Sequence, residues 1–276
     1  MGLRKVKPNA AGSRAITYPD FAELTTNKPL KSLTRALRTH SGRDQSGTIS
    51  IRHRGGGVRR RFRIISTLEQ LAGHTGSVKT IEYDPNRSAR IALIKAESGK
   101  MIYILAPDGL QVGHTIEFNE KAEISIGNRM SLQAIPSGIE IHSVELFPQG
   151  GVRIAQSAGA SAVIVSKEGD YAHVRLPSGE IRKIQLRSNA SIGKIGNIAH
   201  STVRIGKAGR MRWMGKRPTV RGKAMYPAAH PHGGGEGNNP IGLKHPKTPW
   251  GKPALGFKTR RHNPLAKLIV EKRKRK

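Results

Sequence analysis

Residues 89–105, which read ARIALIKAESGKMIYIL, decide the fold class. Two runs rich in β-branched and aromatic side chains, Ala89–Lys95 and Lys100–Leu105, flank the connection Ala96–Gly99. That connection has the length of a hairpin turn and contains glycine. A third run of the same kind, Val78–Tyr83 (VKTIEY), precedes them. The sequence therefore predicts a β-hairpin with a further strand before it.

The same pattern returns later in the chain. Three more short runs are Ala162–Ser166 (AVIVS), Tyr171–Leu176 (YAHVRL) and Ile181–Leu186 (IRKIQL), and the two connections between them consist of turn residues. No long segment with a helical period interrupts the strands. Short strands spaced by roughly 8–12 residues are typical of β-barrels and sandwiches, not of alternating strands and helices. A break in the pattern over residues 126–138 suggests two small barrels.

Charge is concentrated at the two ends of the chain. Residues 1–70 carry 15 Lys and Arg against 4 Asp and Glu, residues 71–200 carry 14 against 12, and residues 201–276 carry 20 against 2. The ends therefore hold almost all of the formal net charge of +31. The last segment also contains 11 Gly and 8 Pro, so it cannot bury enough apolar surface to become ordered alone.

Composition excludes several classes of protein. The chain has no cysteine, which rules out disulfides, a thiolate nucleophile and Cys-ligated zinc. It has no apolar run of 18 residues that would span a membrane, and its start lacks the apolar stretch of a secretory signal. Because so large a charge destabilises a compact state unless a polyanion neutralises it, nucleic acid is the predicted partner. An anionic membrane surface is the weaker alternative.

Basic and aromatic residues outside the strands are the candidate RNA contacts. Guanidinium groups bind phosphate oxygens in pairs, and aromatic rings stack on bases. Arg87, in the loop after Val78–Tyr83, is predicted to project onto phosphate, whereas Arg90 fits a phosphate contact and a structural role about equally. Trp213 and Trp250 each lie among basic residues and glycine, and they fit base stacking and packing under a loop about equally.

A histidine cluster near the C-terminus supports the alternative of a metal-dependent RNA-processing enzyme. His230, His232 and Glu236, with His245 nearby, are the residue types that ligate divalent metals. The Gly233–Gly235 run, the positive surroundings and the scarcity of carboxylates oppose a two-metal site. Hydrogen bonding of these histidines to phosphate or to a 2′-hydroxyl is the favoured interpretation, and no P-loop, HExxH or GxSxG motif occurs.

Five longer motifs closely resemble the universal large-subunit ribosomal protein two family. They stand in the family's order and are Ile81–Ala89 (IEYDPNRSA), Tyr103–Pro107 (YILAP), Gly206–Gly209 (GKAG), Arg217–Gly222 (RPTVRG) and His230–Gly237 (HPHGGGEG). The resemblance runs from near residue 50 to the C-terminus, and the N-terminus fits the bacterial type.

An all-β fold is what this resemblance implies, with an OB-like barrel followed by an SH3-like barrel and with long, extended, basic N- and C-terminal segments. We expect a basic N-terminal extension at 1–60, an OB-like RNA-binding barrel at 61–126, an SH3-like barrel at 127–200, and a Gly/Pro-rich tail at 201–276 that penetrates the rRNA.

The function that it implies is that of a structural constituent of the large ribosomal subunit and not of an enzyme. Such a protein binds large-subunit rRNA, contacts neighbouring ribosomal proteins and the small subunit across an intersubunit bridge, and supports subunit association and the peptidyl-transferase region. The expected location is the cytoplasmic ribosome, with an organellar ribosome left open, and no membrane is involved. No cofactor is expected, apart from structural Mg²⁺ shared with the rRNA. A nucleoid or translation-factor-like OB protein is a further alternative.

Single residues follow from the same resemblance. Arg87 falls on a family rRNA contact, and Gln156 stands where the family has a second RNA-contacting arginine, for which Arg153 is the expected substitute. His230 falls on the histidine once proposed to act in peptide-bond formation. The predicted rRNA contacts are Arg52, Arg54, Arg59, Arg60, Arg61, Arg87, Arg90, Arg153, Gln156, Arg212, Trp213, Arg217, Arg221, Lys223, His230, His232, Lys244 and Trp250.

Three further positions depart from the family pattern. Tyr226 stands where the family has asparagine, Ala228–Ala229 where it has Val-Asp, and Val58 where histidine is common. Loss of the acidic residue removes an orienting partner of His230, which argues against a catalytic role for that histidine.

Overall fold

The computed structural model describes residues 2–67, 75–235, 240–256 and 264–273, and it is almost entirely β. The strands are β1 (Leu3–Lys5), β2 (Thr17–Pro19), β3 (Thr34–Ala36), β4 (Arg61–Arg63), β5 (Thr75–Glu82), β6 (Ile91–Ala96), β7 (Met101–Leu105), β8 (Thr115–Glu117), β9 (Arg129–Ser131), β10 (Glu140–His142), β11 (Val144–Glu145), β12 (Val152–Ile154), β13 (Ala162–Glu168), β14 (Tyr171–Arg175), β15 (Ile181–Gln185), β16 (Asn189–Ile192) and β17 (Ile269–Glu271). Within the described residues there is one α-helix, α1 (Ala208–Trp213). Short 3-10 helices cover Ala11–Ser13, Lys31–Leu33, Ile198–Thr202, Gly222–Ala224 and Pro264–Leu268. No helix in these ranges is long and apolar enough to cross a membrane.

The hairpin predicted from residues 89–105 is confirmed. Strands β6 and β7 pair antiparallel, with Ile91 opposite Leu105. Gly99 closes their turn with a φ of +78°, a conformation that glycine adopts without the clash a Cβ would cause. With β5 and β8 they form a four-stranded sheet in the order β7-β6-β5-β8, which is the sheet of the first, OB-like barrel.

Strand β6 is apolar except for the exposed Lys95, because both of its faces are covered. Ala92 and Ile94 belong to the core of the first barrel. Ile91 and Leu93 point the other way, into a second cluster against which Leu30 of the N-terminal segment packs. A strand buried on both faces has a continuous apolar sequence and not an alternating one, which explains the unbroken apolar run from Ile91 to Ile94.

Tyr103 fastens the N-terminal segment to this barrel. Its hydroxyl donates to Oε2 of Glu82 at 2.8 Å and accepts the backbone N–H of Leu30 at 2.8 Å. The tyrosine is fully buried, and burial raises the pKa of its hydroxyl well above the ordinary value.

The second, SH3-like barrel contains the other three predicted strands. Its seven-stranded sheet has the order β17-β15-β14-β13-β10-β16-β9, and its core is built largely of Ile, Leu, Val, Met and Ala side chains. Gly179 closes the turn between β14 and β15 with a φ of +84°. Strand β17 comes from the C-terminal segment and pairs antiparallel with β15, with Ile181 opposite Glu271.

A buried ion pair lies inside the second barrel. Nη2 of Arg129 is 2.7 Å from Oε1 of Glu145, and both side chains are almost completely inaccessible. The arginine also donates from Nη1 to the carbonyl of Ser143 at 2.8 Å, and Oε2 of the glutamate accepts the backbone N–H of Asn189 at 3.2 Å. These extra hydrogen bonds offset the cost of removing two charges from water.

Contacts divide the chain into two compact units. Unit one comprises 1–38, 59–208 and 265–276 and contains both barrels; unit two comprises 39–58 and 209–264. The domain boundaries expected at residues 60, 126 and 200 stay a prediction. The two compact units do not coincide with those expected domains, because parts of both basic ends, such as Leu30 and β17, pack on the barrels.

Candidate nucleic-acid interface

Arg87 is held by a buried carboxylate in the loop between β5 and β6. Its Nε donates to Oδ2 of Asp84 at 2.6 Å, and Asp84 is fully buried while the arginine side chain is 23% exposed. Oδ1 of Asp84 accepts the backbone N–H of Asn86 at 2.9 Å, which is the turn that an Asx residue stabilises. The sequence Asp-Pro-Asn-Arg therefore fixes the orientation of the guanidinium.

Strand β4 joins this loop to a row of arginines. Nδ2 of Asn86 donates to the carbonyl of Arg61 at 2.7 Å, and Nη1 of Arg60 donates to the carbonyl of Pro85 at 3.4 Å. Arg59 and Arg61 are exposed, and Arg60 is half-buried. The predicted contacts of β4 and Arg87 thus form one basic edge of unit one.

Gln156 lies near this edge, at the end of the second barrel. It follows Ala155, which has a φ of +52°, and the backbone N–H of Ser143, itself at +50°, donates to the Ala155 carbonyl at 3.0 Å. Nε2 of Gln156 donates to the carbonyl of Val152 at 2.8 Å. Arg153 projects from β12 and is exposed.

An opening between the two barrels brings Arg87 and Gln156 together. We call it the inter-barrel cleft; its volume is about 380 Å³. The first barrel and the strand before it contribute Phe62 and residues 64–67, and the second barrel contributes Ser143 and Val152. The guanidinium of Arg87 is 6.0 Å from the centroid of the Phe62 ring.

Arg90 has a different environment from the one a phosphate contact needs. It is only 3% exposed and lies 5.0 Å from the ring centroid of Phe21 and 5.6 Å from that of Tyr83. Its Nη2 donates to the carbonyl of Asp20 at 3.2 Å, and burial lowers the pKa of the guanidinium, an effect that Glu23 opposes. Of the two roles that the sequence left open, this geometry favours the structural one, because a buried cation stacked on aromatic rings is not accessible to phosphate.

Unit two joins the two basic segments through backbone bonds. Arg54 and Lys216 form an antiparallel bridge, the backbone N–H of Val58 donates to the carbonyl of Trp213 at 3.0 Å, and Nδ1 of His53 donates to the carbonyl of Pro218 at 3.0 Å. This pairing places the predicted contacts of residues 52–54 next to those of residues 212–217.

Both tryptophans of unit two are at the surface. Trp250 is 69% exposed and Trp213 is 59% exposed. The guanidinium of Arg52 lies 5.4 Å from the Trp250 ring centroid. An exposed aromatic face beside arginine is suited to stacking on a nucleic-acid base. The other predicted contacts of this unit are exposed at Arg54, Arg217, Arg221 and Lys244, and half-buried at Arg212 and Lys223.

His230 and His232 are bound by backbone groups of unit two. Nδ1 of His230 accepts the backbone N–H of His232 at 3.0 Å, and Nε2 of His232 accepts the backbone N–H of Lys247 at 2.9 Å. A neutral imidazole has one acceptor nitrogen, so each histidine carries its proton on the other nitrogen. His230 is 7% exposed, and its ring fills the place of a Cβ at Gly222.

These hydrogen bonds do not favour the metal-dependent alternative. The lone pair that a metal would need is already engaged on each ring. Among the described residues, no group of three or more His, Cys, Asp or Glu side chains is placed to hold a metal ion, and Glu236 lies outside the described residues.

Sequence reasoning missed two residues of the basic edge, Phe62 and the Asp84 that holds Arg87. Phe62 stands between two arginines in the sequence, a pattern of basic and aromatic residues that could have indicated it. Asp84 was interpreted only as a turn residue, and its spacing of three from Arg87 is the signal that could have indicated the ion pair. The positive φ angles of Ser143 and Ala155 have no such signal in the sequence.

Comparison with known families gives two matches that together cover well over half of the chain. Residues 30–118 match the RNA binding N-terminal domain of Ribosomal Proteins L2, and residues 125–251 match the C-terminal domain of Ribosomal Proteins L2. The matched ranges include both barrels, Arg87, the basic segment of β4 and most of unit two. The order of the two domains is also the order of the two barrels, and the chain belongs to the ribosomal protein L2 family.

Proposed function

We propose that this L2 protein binds rRNA through two surfaces. One is the basic edge formed by β4 and Arg87 in unit one, and the other is the exposed surface of unit two where Arg52 lies beside Trp250. Membership of the family makes the chain a structural constituent of the large ribosomal subunit that binds rRNA. The observation that carries the proposal is the ion pair of Arg87 with the fully buried Asp84. It fixes a guanidinium at the rim of a cleft and leaves its terminal nitrogens for phosphate.

The experiment that tests these surfaces is crosslinking of RNA to protein in intact large-subunit particles. We expect crosslinks at Phe62, Arg87, Trp213 and Trp250 and none at Arg90, which is buried. Crosslinks confined to the exposed faces of β14 and β15 would contradict the proposal.

Sedimentation with large-subunit particles after a moderate salt wash separates a ribosomal constituent from a free nucleoid or translation-factor-like protein.

The finer parts of the function rest on the family resemblance. We propose that the protein contacts neighbouring ribosomal proteins and the small subunit across an intersubunit bridge, and that it supports subunit association and the peptidyl-transferase region. Its place is the ribosome, and we propose the cytoplasmic one. Particles that lack the protein should then show impaired subunit joining by sedimentation and impaired peptide-bond formation with a model aminoacyl acceptor.

The family is structural, and we propose that the chain catalyses no reaction. The tautomers of His230 and His232 support this, because the acceptor nitrogen of each ring is engaged by a backbone N–H. We propose no cofactor other than Mg²⁺ shared with the rRNA. Stoichiometric bound metal together with EDTA-sensitive RNA cleavage by the purified chain would instead support the metal-dependent enzyme.

A further inference from the structure

The inter-barrel cleft has the size of a small-molecule site. Its volume of about 380 Å³ lies at the lower end of the roughly 300–1,000 Å³ of ligand pockets. Its walls include Ile64, Ile104 and Leu105 of the first barrel and Val152 of the second. An RNA duplex is far too wide to enter such a space, but a single flat group is not.

Inward from Arg87 at the rim, the lining of the cleft carries no uncompensated charge. Arg129, which lines it, is neutralised by Glu145 at 2.7 Å. His142 lines it too, and burial lowers the pKa of this histidine to about 4, so it is neutral near pH 7. A phosphate inside would therefore lose its hydration without meeting an uncompensated positive charge. A neutral occupant fits better.

Polar groups of the cleft are placed to bind the edge of such an occupant. Gln156 uses Nε2 for the carbonyl of Val152, and within the described residues its Oε1 accepts no hydrogen bond. The hydroxyl-bearing residues Ser66, Ser143 and Ser191 also line the cleft. Apolar walls with a few polar groups are what a heterocycle needs, because its faces are apolar and its edge forms hydrogen bonds.

The mouth of the cleft is suited to the rest of a nucleotide chain. Phe62 is 39% exposed, and the Arg87 guanidinium lies 6.0 Å from its ring centroid. Aromatic rings and guanidinium planes are the groups on which unstacked bases stack. Arg61 at the start of β4 and Arg59, two residues before it, are both exposed. They lie within the same basic edge and can neutralise flanking phosphates.

We propose that the inter-barrel cleft holds one nucleobase of the bound RNA, turned out of its stack, while the flanking phosphates lie on Arg59, Arg61 and Arg87. This inference rests on the proposed function and adds to it the kind of RNA that the first surface recognises. Such a site requires an unpaired nucleotide, so the protein would distinguish a bulged or looped strand from a regular duplex.

Free nucleotides test the site on the full chain without any assumption about the rRNA sequence. AMP, CMP, GMP and UMP are titrated separately while the methyl resonances of Ile64, Ile104 and Val152 are followed by NMR, with ribose 5-phosphate as the control. We expect at least one nucleotide to shift these resonances and ribose 5-phosphate to leave them unchanged. Equal shifts with ribose 5-phosphate, or no shift with any nucleotide, would overturn the proposal.

Filling the cleft tests it with rRNA. Val152→Trp should weaken binding to a large-subunit rRNA fragment by roughly 5- to 150-fold, the effect of losing one stacked base. Thr115→Trp, on the exposed part of β8, is the matched control and should bind as the wild type does. Equal affinity of Val152→Trp and wild type would overturn the cleft proposal alone, whereas a wild-type chain that does not bind the fragment would overturn the proposed function itself.

A milder variant keeps the test valid if the tryptophan prevents folding. Gln156→Ala removes an exposed side chain together with its hydrogen bond to the Val152 carbonyl. We expect it to change the order of preference among the four nucleotides, because Oε1 of Gln156 is then no longer available to the edge of the base. An unchanged order of preference would contradict the assignment.

Discussion

Arg87 and Arg90 are three residues apart, yet one side chain is partly exposed and the other is buried. Arg87 is partly exposed and oriented by Asp84, whereas Arg90 is enclosed by Phe21 and Tyr83. Sequence reasoning favoured a functional role for the first and left the second open. The role of Arg90 could not be decided from sequence, because its aromatic partner Phe21 lies about seventy positions away and only the tertiary fold brings the two side chains together.

Replacing Arg87 with alanine in a chain that also carries Asp84→Asn should weaken rRNA binding relative to Asp84→Asn alone and leave the barrels folded, because no buried carboxylate then lacks its partner. One phosphate contact is lost, so the slope of log affinity against log salt should fall by about 0.7–0.9. Filter binding to an rRNA fragment measures this, and Arg175→Ala, at an exposed position on β14, is the matched control. A loss of thermal stability as large as the loss of binding would show instead that Arg87 is structural.

Arg90→Gln should have the reverse effect. It removes a buried cation from two aromatic rings and leaves the Asp20 carbonyl without its donor, so we expect unfolding to become easier by about 1–3 kcal/mol. Urea unfolding monitored by circular dichroism gives the change, and rRNA affinity under folding conditions should stay within about twofold. Unchanged stability together with weaker binding would return Arg90 to the set of RNA contacts.

His142 should make the second barrel sensitive to acid. Burial lowers its pKa from the ordinary 6.5 to about 4, although its Nδ1 donates to the Gly193 carbonyl at 3.1 Å. Because His142 takes up its proton at higher pH in the unfolded chain, its contribution to stability is constant above about pH 6.5 and falls toward pH 4, by at most about 1.4 kcal/mol per pH unit. Unfolding by urea at a series of pH values measures this slope.

The variant His142→Asn isolates that contribution. Its side-chain amide can still donate to the Gly193 carbonyl but does not titrate, so the slope between pH 6.5 and 4 should become shallower. His114→Asn, at an exposed position, is the control and should keep the wild-type slope. Parallel pH profiles of His142→Asn and wild type would contradict the assignment.

At the scale of elements, the six strands inferred from sequence are confirmed within a few residues at each end. The eleven shorter strands that the described residues also form were not identified. The predicted strands are long enough to show runs of β-branched residues between turns. By contrast, β4, β9 and β17 have three residues each, and their pairing depends on distant partners. Strand β17 shows this most clearly, because its partner β15 lies almost ninety residues earlier.

Removing β17 should expose the edge of the second barrel without unfolding it. Deletion of residues 269–276 frees the edge of β15 at Ile181 and Arg182, so amide hydrogen exchange there should become faster while exchange in β13 stays slow. Deletion of residues 272–276 keeps β17 and is the matched control, since it removes only basic residues beyond the strand. Equal exchange in the two truncated chains would show that β17 does not protect this edge.

At the scale of the whole molecule, the charge distribution could be predicted almost completely and the packing of the ends could not. Counting residues places the excess charge at the two ends, and the two L2 domains explain it by a polyanionic partner. Nothing in the count indicates that Leu30 covers the first barrel or that residues 39–58 form a compact unit with 209–264. Those contacts are long-range, and their apolar residues are isolated in polar sequence.

The same distribution predicts a steep salt dependence that belongs mainly to the ends. With six to ten phosphates neutralised, affinity for the rRNA fragment should fall by about 10³–10⁵ between roughly 50 and 200 mM salt. Replacing Arg52, Arg54 and Arg217 together with glutamine should lower the slope of log affinity against log salt by about 2–3, whereas replacing Lys79, Lys95 and Lys100 of the near-neutral middle should change it little. If both triple variants lowered the slope equally, the charge at the ends would act only through the long-range field of the protein. A lower slope for the arginine variant alone would mean that unit two contacts phosphates directly. The ends would then supply most of the affinity, while the barrels position the chain on the RNA.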